Sequence, residues 1–231
     1  MMKPLHGTLL AGLLAAVPVF GAPPKAVTLH YDMSRNGMVM VEVTERLEHD
    51  GSRYLIIYEA KGKGIYSLLR SGVARRSSRG TIGGDGLRPI EFRDRRGDNP
   101  EALARFDWTR RTVQQGVEGK LDSQPMTERL QDRLSFVWNF SFVAPPGKEI
   151  TATLADGHGL SVFRYANQGT ETLKTAAGDI EALRLVKQRA PGDERATEIW
   201  LAVRHHFLPV RILVTEKDGT RLDQLLTRIE S

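Results

Sequence analysis

The clearest alternation of apolar and polar positions lies near the carboxyl end of the chain. In 198–203, aliphatic side chains alternate with Glu198 and Trp200, which is the period-two pattern of a strand with two unlike faces. The following run, 207–215, is richer in large and β-branched residues, so we expect it to be covered on both faces. Pro209 lacks an amide N–H, which places it near the start of this strand or at a locally unpaired position. The two runs predict an antiparallel hairpin.

Short extended runs of the same kind, separated by turn-forming residues, fill most of the chain. The dipeptides Asn36-Gly37 and Asp50-Gly51 are strong hairpin signals, because both central positions of a type I′ turn need positive φ. The strands that they connect form a meander, in which each strand pairs with the next. We expect strands at 27–35, 38–48, 52–60, 73–82, 89–95, 103–108, 112–118, 149–154, 160–167, 169–174, 180–188, 198–203, 207–215 and 221–229.

One segment, 128–142, is predicted to be a helix. Thr127 can cap its first turn, Glu128 suits the positive end of the helix dipole, and the Pro-Pro-Gly at 145–147 ends it. A strand is the alternative, because large apolar residues also alternate through 134–142 and aromatic residues favour strands. One helical face would carry Leu130, Leu134, Val137, Trp138 and Ser141. We favour the helix because Thr127 and Glu128 start it well and the residues at 131–133 are poor strand material. Residues 65–70 are compatible with a helical turn or a strand.

The first residues have the layout of a secretory signal peptide. Lys3 and His6 precede the apolar run 9–20, and a small-residue cleavage site follows before Ala22. An apolar run of this length is shorter than the roughly 20 residues that a membrane-spanning helix needs. A buried N-terminal helix is the alternative, but the run has no polar face at helical period. We therefore expect residues 1–21 to be a signal peptide and the protein to be periplasmic.

The absence of cysteine limits the chemistry of the chain. Without cysteine the mature protein has no disulfide framework and no thiolate nucleophile or metal ligand. It also lacks the cysteine that a bacterial lipoprotein carries after its signal. We therefore expect a soluble exported protein that is not a lipoprotein.

The positive charge is concentrated in the middle of the chain. The net charge is +5, and residues 70–111 contain eleven Arg, no Lys and six acidic residues. In the cell envelope the anionic partners are phospholipid headgroups, lipopolysaccharide phosphates and acidic glycans rather than nucleic acid, and the Arg fork suits them. Solvated strand faces are the alternative, because Glu91, Arg93 and Arg95 alternate with Ile90 and Phe92 as an outward face would.

Large aromatic side chains are the other candidates for a binding surface. Amphipathic rings line pockets for sugars and acyl chains, although they equally fill protein cores. If the helix lies across a curved sheet, its aromatic residues either plug the hollow or leave a cleft. We expect ligand contacts from Trp108, Trp138, Phe142, Trp200, Arg93 and Arg95.

No motif predicts catalysis or metal binding. His205 and His206 are adjacent, so in a strand they point to opposite faces, and the Asp156–Gly159 segment is typical of a turn. The glycine cluster 83–86 lacks the Lys-Ser/Thr of a phosphate-binding loop. No Gly-x-Ser-x-Gly motif is present, and Asp132 and Ser135 are better suited to pinning the helix into the sheet. We assign no catalytic, metal or cofactor residues.

Several short motifs in the carboxyl-terminal half resemble those of a known family. They are QDRLS at 131–135, GTETL at 169–173 followed by Gly178 to Leu185, IWLA at 199–202 and LPVR at 208–211. In these motifs the chain resembles the domain-of-unknown-function 3108 family, which consists of exported bacterial proteins. The resemblance covers most of the mature chain and implies an antiparallel, strongly curved sheet wrapped toward a barrel, with little helix. It assigns no catalytic residues.

Together these observations predict one β-rich domain over 22–231. We expect a mainly β fold, a single antiparallel, strongly curved sheet or partly open barrel in meander order, with one main helix at about 128–142 packed against it. The expected function is a non-enzymatic periplasmic envelope factor that binds a lipid-like or anionic glycan ligand in the concave face. A scaffold that binds an envelope protein and a hydrolase of envelope polymers are the alternatives. We expect no cofactor, no nucleic acid partner and no transmembrane segment in the mature chain.

Overall fold

The computed structural model describes residues 21, 23–69, 74–145, 147–190 and 192–231, without the side chains of residues 68 and 69. The predicted signal segment, apart from Gly21, lies outside this part of the chain. The described residues form one fifteen-stranded sheet and two short helices. The strands are β1 (Ala26–Arg35), β2 (Met38–His49), β3 (Arg53–Gly62), β4 (Ala74–Gly83), β5 (Gly86–Arg96), β6 (Ala102–Asp107), β7 (Thr112–Val117), β8 (Lys120–Pro125), β9 (Leu130–Gln131), β10 (Glu149–Ala155), β11 (Leu160–Thr175), β12 (Gly178–Lys187), β13 (Ala196–Ala202), β14 (Leu208–Thr215) and β15 (Arg221–Glu230). The helices are α1 (Tyr66–Leu69) and α2 (Arg133–Asn139).

The strands follow one another as two meanders joined through the chain ends. The order across the sheet runs from β8 back to β1, then β15 back to β9. Strand β1 therefore pairs with β15, and every neighbouring pair is antiparallel except β9 and β10, which are parallel. The sheet does not close, because β8 forms one end and the two-residue β9 the other. The predicted curved, partly open antiparallel sheet in meander order is confirmed.

The sheet wraps around α2, which has apolar residues on two sides. Leu134 and Trp138 join the larger core, to which β1–β7 and β11–β15 contribute, whereas Phe136, Val137 and Phe140 join a second core formed with β10–β13. A helix buried on nearly all sides occupies the middle of the fold rather than its surface. The hollow of the sheet is therefore largely filled by this helix and its aromatic residues.

The predicted helix is confirmed but is shorter than 128–142, and its cap is different. Asp132, not Thr127, is the N-cap: its side chain accepts hydrogen bonds from the amides of Leu134 and Ser135, both at 2.8 Å. The Ser135 hydroxyl accepts from the Asp132 amide at 2.9 Å, which completes a capping box. Asp132 and Ser135 thus pin the helix as predicted, and the preceding residues form β9 instead of a helical turn.

Two other local predictions differ from the structure, and one segment that was left open has one of its two expected forms. Residues 120–125 form β8, which the sequence did not indicate because this segment contains a single large apolar residue. The predicted strands 160–167 and 169–174 are one strand, β11, with a register shift between Asn167 and Thr170. The ambiguous segment 65–70 contains the helical turn α1.

The carboxyl-terminal hairpin has the predicted form. Strands β13 and β14 pair antiparallel, and Pro209 is the second residue of β14. The register shifts between Trp200 and Leu201, opposite Pro209, so a residue without an amide N–H lies at an irregular position of the ladder. His205 and His206 lie in the turn between these strands.

Candidate functional site

Trp138 fills the centre of the fold. It is fully buried, and its indole Nε1 donates a hydrogen bond to Glu45 Oε2 on β2 at 2.8 Å. The side-chain amide of Gln224 donates to Glu45 Oε1 at 2.9 Å, so both carboxylate oxygens have a donor. Burial raises the pKa of Glu45, while these two donors act in the opposite direction. The hydrogen bond between Trp138 and Glu45 therefore joins α2 to strand β2 of the sheet.

A second buried polar cluster fixes the start of α2. The Ser78 hydroxyl donates to Asp132 Oδ2 at 2.5 Å, and the Tyr54 hydroxyl lies 3.1 Å from Ser78 Oγ. Burial raises the pKa of Asp132 to about 6, although the hydrogen bonds that its carboxylate accepts from the Ser78 hydroxyl and from the Leu134 and Ser135 amides favour the charged form. The cluster contains no histidine, and both Ser78 and Asp132 are completely buried. Its geometry suits helix anchoring.

Trp200 is also buried, against charged side chains of its neighbouring strands. The guanidinium groups of Arg211 and Arg184 lie 4.6 and 5.5 Å from its ring, and Nε1 donates to Glu171 Oε1 at 2.6 Å. Such cation–π contacts stabilise the packing of an indole between arginines. The ring is only 3% exposed, so little of its surface is free to contact a ligand.

The two predicted arginines are engaged in ion pairs. Arg93 bonds Glu91 at 3.0 Å and Glu101 at 2.8 Å, while Arg95 lies 3.7 Å from Glu101. Phe142 is half-buried and packs edge-on against the ring of His49, with centroids 5.2 Å apart. These three side chains do not meet the tryptophans at one site.

One cavity lies where the first residues of β10 approach β5 and the end of β6 without pairing to them, and we call this boundary the seam. Strand β9 pairs only with Thr153 and Leu154, so the preceding part of β10 has no ladder partner on this side within the described chain. Farther along, the β10–β11 turn packs against β6, because a Cβ at Gly157 would lie 2.8 Å from that of Ala102. The seam is therefore tight at one end and open at the other.

The open end encloses a cavity of 550 Å³, which we call the seam cavity. This volume falls within the range typical of small-molecule sites, about 300–1,000 Å³. Its walls come from the β4–β5 turn, the start of β5, α2 with the residues after it, and β10. The apolar lining consists of Leu87, Trp108, Phe136, Phe140, Val143, Ala144, Ile150 and Ala152, and the polar lining includes Asp85, Arg88, Arg129, Gln131, Asn139, Glu149 and Thr151.

Hydrogen bonds from α2 and β9 hold the start of β5 against the cavity floor. The Asn139 side-chain oxygen accepts from the Leu87 amide at 2.7 Å, and the Gln131 side-chain amide donates to the Leu87 carbonyl at 2.8 Å. Gly86 is required here, because it has φ of +93° and a Cβ would collide with the Asn139 oxygen. The glycine cluster that precedes β5 is thus a turn fitted closely to the helix.

Trp108 and Arg88 form one corner of the seam cavity. The indole Nε1 of Trp108 donates to the Pro89 carbonyl at 2.7 Å, which fixes the ring against β5. The guanidinium of Arg88 lies 5.1 Å from the Trp108 ring centroid. Of the six residues predicted to contact a ligand, Trp108 alone lines this cavity, whereas sequence reasoning missed Arg88 and Arg129.

A second groove, of 640 Å³, lies on the exposed face of β4–β8. Its lining includes Arg79 and Arg105, but both of these guanidinium groups lie within 3.4 Å of a Glu91 carboxylate oxygen. Paired charges of this kind are typical of a solvated strand face. The groove therefore offers less to a ligand than the seam cavity does.

The described residues show neither a cluster of metal ligands nor a membrane-spanning helix. Among them, no group of three or more His, Cys, Asp or Glu side chains is arranged to hold a metal ion. No helix in this part of the chain combines the length and the apolar character needed to cross a membrane.

The fold and the cavity define a class of protein, an open, barrel-like antiparallel sheet wrapped around a short helix. The chain belongs to the family described as Protein of unknown function (DUF3108), whose model matches residues 27–227. The resemblance indicated by the sequence motifs is therefore confirmed. No curated protein matches the chain.

The chain is similar to several solved structures at very low sequence identity. The β-barrel-like protein of domain of unknown function DUF1849 from Brucella abortus has a TM-score of 0.57 and 6% identity, covering 90% of this chain and 98% of that one. A candidate lipoprotein from Parabacteroides distasonis ATCC 8503 has a TM-score of 0.42 and 10% identity, with coverages of 91% and 98%. A candidate exported protein with a YmcC-like fold from Bacteroides fragilis NCTC 9343 has a TM-score of 0.41 and 11% identity, with coverages of 92% and 99%. The first similarity reflects the fold alone.

Proposed function

We propose that this protein is a periplasmic binding protein for a lipid-like ligand, whose apolar part occupies the seam cavity. The signal-like pattern of residues 1–21 supports export. The observation that carries the proposal is the 550 Å³ cavity itself, with aromatic and aliphatic walls and a polar rim. Such a combination is the usual composition of a site for an amphipathic molecule.

The location of the ligand follows from how the hollow is filled. Trp138 and the core residues around it occupy the centre of the sheet, so an acyl chain has no room there. At the seam, by contrast, Phe136 and Phe140 face a space that no strand fills. A chain lying in that space against the at least partly exposed Trp108, Val143 and Ala144 would remove apolar surface from water, which is favourable at about 25 cal/mol per Å². We therefore place the ligand at the seam rather than deep in the concave face.

The first test is native mass spectrometry of the protein purified from its own periplasm. We expect an adduct with the mass of a lipid-like molecule, and we expect delipidated protein to rebind an octyl-chain probe such as octyl phosphate or octyl glucoside. A bare mass together with no rebinding of either probe would overturn the proposal.

The second test locates the site with a substitution that fills the cavity. Thr151 is exposed and lines the cavity, so Thr151→Trp should block it without disturbing the core and weaken probe binding at least about 10-fold. Thr172→Trp makes the same change at an exposed strand position outside the cavity and should leave binding unchanged. Equal affinities for the two variants would place the ligand elsewhere and overturn the proposed site.

A further inference from the structure

We infer that the ligand of the seam cavity carries a phosphate or carboxylate head group, held by Arg88 and Arg129. The inference rests on the proposed function and adds the chemical class of the polar end. It also assigns two specificity-determining residues, each on a different wall of the cavity. Arg88 lies on β5, and Arg129 lies in the turn that leads into β9.

The first observation is the distribution of ion pairs. Residues 74–145 are described without a gap and contain twelve arginines. Ten of them lie within 4.0 Å of a carboxylate oxygen: Arg75, Arg76, Arg79, Arg93, Arg95, Arg96, Arg105, Arg110, Arg111 and Arg133. In this stretch the two without such a partner are Arg88 and Arg129, and both line the seam cavity.

The second observation is how Arg88 is positioned. Its guanidinium stacks near Trp108, and that indole is itself tied to the Pro89 carbonyl. A cation–π contact orients a guanidinium through its face and leaves its N–H donors unused. Arg88 is therefore oriented at the rim with its hydrogen-bonding capacity available to an oxyanion.

The third observation is the backbone of Arg129. Its φ is +62°, a left-handed conformation that favours glycine and costs a side-chain-bearing residue about 1 kcal/mol or more. The neighbouring acid, Glu128, lies 3.6 Å from Arg111 and so does not neutralise Arg129. Arg129 thus has a backbone conformation suited to glycine, lies beside the cavity and has no carboxylate partner. Its side chain is available to contact a ligand.

Two acidic residues share the rim and limit which anions fit. The Glu149 carboxylate accepts a hydrogen bond from the Gln188 side chain at 2.9 Å and is thus directed across β11. Asp85 lies at the tip of the β4–β5 turn, and neither acid is within 4.0 Å of Arg88 or Arg129 among the described ion pairs. Asp85 should therefore repel the head group weakly, so that Asp85→Asn strengthens the binding of an anion about 2-fold to 3-fold.

The test compares probes that share an octyl chain and differ in the head group. Isothermal titration at low salt should give wild-type affinities for octyl phosphate and octanoate about 10-fold higher than for neutral octyl glucoside. Arg88→Gln and Arg129→Gln should each weaken octyl phosphate binding about 10-fold and change octyl glucoside binding less than about 2-fold. Arg95→Gln, which removes the same charge from a paired arginine outside the cavity, should change neither affinity.

The outcomes separate the two proposals. If wild-type protein binds octyl glucoside as tightly as octyl phosphate and octanoate, the head-group inference is wrong while the lipid-binding function stands. If no octyl probe binds, both are wrong. If Arg95→Gln weakens octyl phosphate as much as Arg88→Gln does, the effect is general electrostatics and the assignment of Arg88 and Arg129 fails. The ratio of octyl phosphate to octanoate affinity then identifies which oxyanion the rim prefers.

Discussion

The charged groups on the two sides of α2 differ in whether they have hydrogen-bonding or ionic partners. On the side facing β2 and β4, the carboxylates of Glu45 and Asp132 are fully buried and surrounded by donors from Trp138, Gln224 and Ser78. On the side facing the seam, Arg88 and Arg129 border an open cavity without a carboxylate partner. A buried polar group whose hydrogen bonds are all made helps to specify a single fold. A cation without a partner beside a cavity can still bind an anion. The molecule thus has a structural side and, under our proposal, a ligand-facing side.

The largest expected effect comes from the structural side, with Trp138→Ala. The substitution removes the most central side chain of the fold and leaves Glu45 Oε2 without its indole donor, so the free energy of unfolding should fall by about 4 kcal/mol. Urea unfolding followed by far-ultraviolet circular dichroism measures the loss. Trp108→Ala is the matched change at the seam, where the ring is half-buried, and should cost about 1–2 kcal/mol. Equal costs would contradict the division into two sides.

The next effect is a pH dependence that originates in the buried carboxyl of Asp132. Burial raises the folded-state pKa of Asp132 to about 6, above its ordinary value near 3.8. The folded state therefore holds the proton more tightly, so this contribution is fully present below about pH 4 and is lost as the pH rises through about 6. Its size is about 2–3 kcal/mol for a difference of about two pKa units. The raised pKa of Glu45 acts in the same direction.

Asp132→Asn provides the control for this dependence. Asparagine is an equally good N-cap, so the helix start should survive while the titrating group is lost. Between about pH 4 and pH 6 the wild-type free energy of unfolding should fall relative to that of the variant, as measured by urea unfolding at each pH. Parallel curves for the two proteins would mean that Asp132 does not titrate in this range.

The architecture was largely readable from the sequence because its signals are local. Turn dipeptides such as Asn36-Gly37 and the alternation in 198–203 specify each hairpin without reference to the rest of the chain. Strand β8 was missed because its residues are mostly polar, and it is recruited only by pairing with β7. Thr127 had the chemistry of a cap, but Asp132 is the residue whose carboxylate the sheet supplies with a further donor, from Ser78. Tertiary contacts decided these cases.

Much less of the candidate site could be predicted from the sequence, because ion pairing between strands also depends on tertiary contacts. Arg93 and Arg88 differ by five positions and look alike in the sequence, yet only the folded sheet brings Glu91 and Glu101 to Arg93 and none to Arg88. Pairing across strands depends on register, which local patterns do not report for charged residues. Trp108 was predicted to contact a ligand, as were the other two tryptophans, because large amphipathic rings line ligand pockets. No pattern in the sequence indicates that Arg88 and Arg129 lack a carboxylate partner.

The smallest change in stability is expected from Arg129→Gly, which also distinguishes best between the two sides of α2. Glycine adopts φ near +62° without strain, which offsets its greater flexibility in the unfolded chain, so the free energy of unfolding should stay constant or rise by up to about 1 kcal/mol. Binding of octyl phosphate should nevertheless weaken about 10-fold, because a guanidinium of the rim is gone. Stability and affinity would then change independently, which is the behaviour expected of a residue kept for a ligand. Arg88→Gln, at a position with unstrained backbone, should alter stability by less than about 0.5 kcal/mol. If Arg129→Gly instead destabilises the protein by more than about 1 kcal/mol, the Arg129 side chain stabilises the fold. The charged residues of the seam would then have a structural role like that of Glu45 and Asp132.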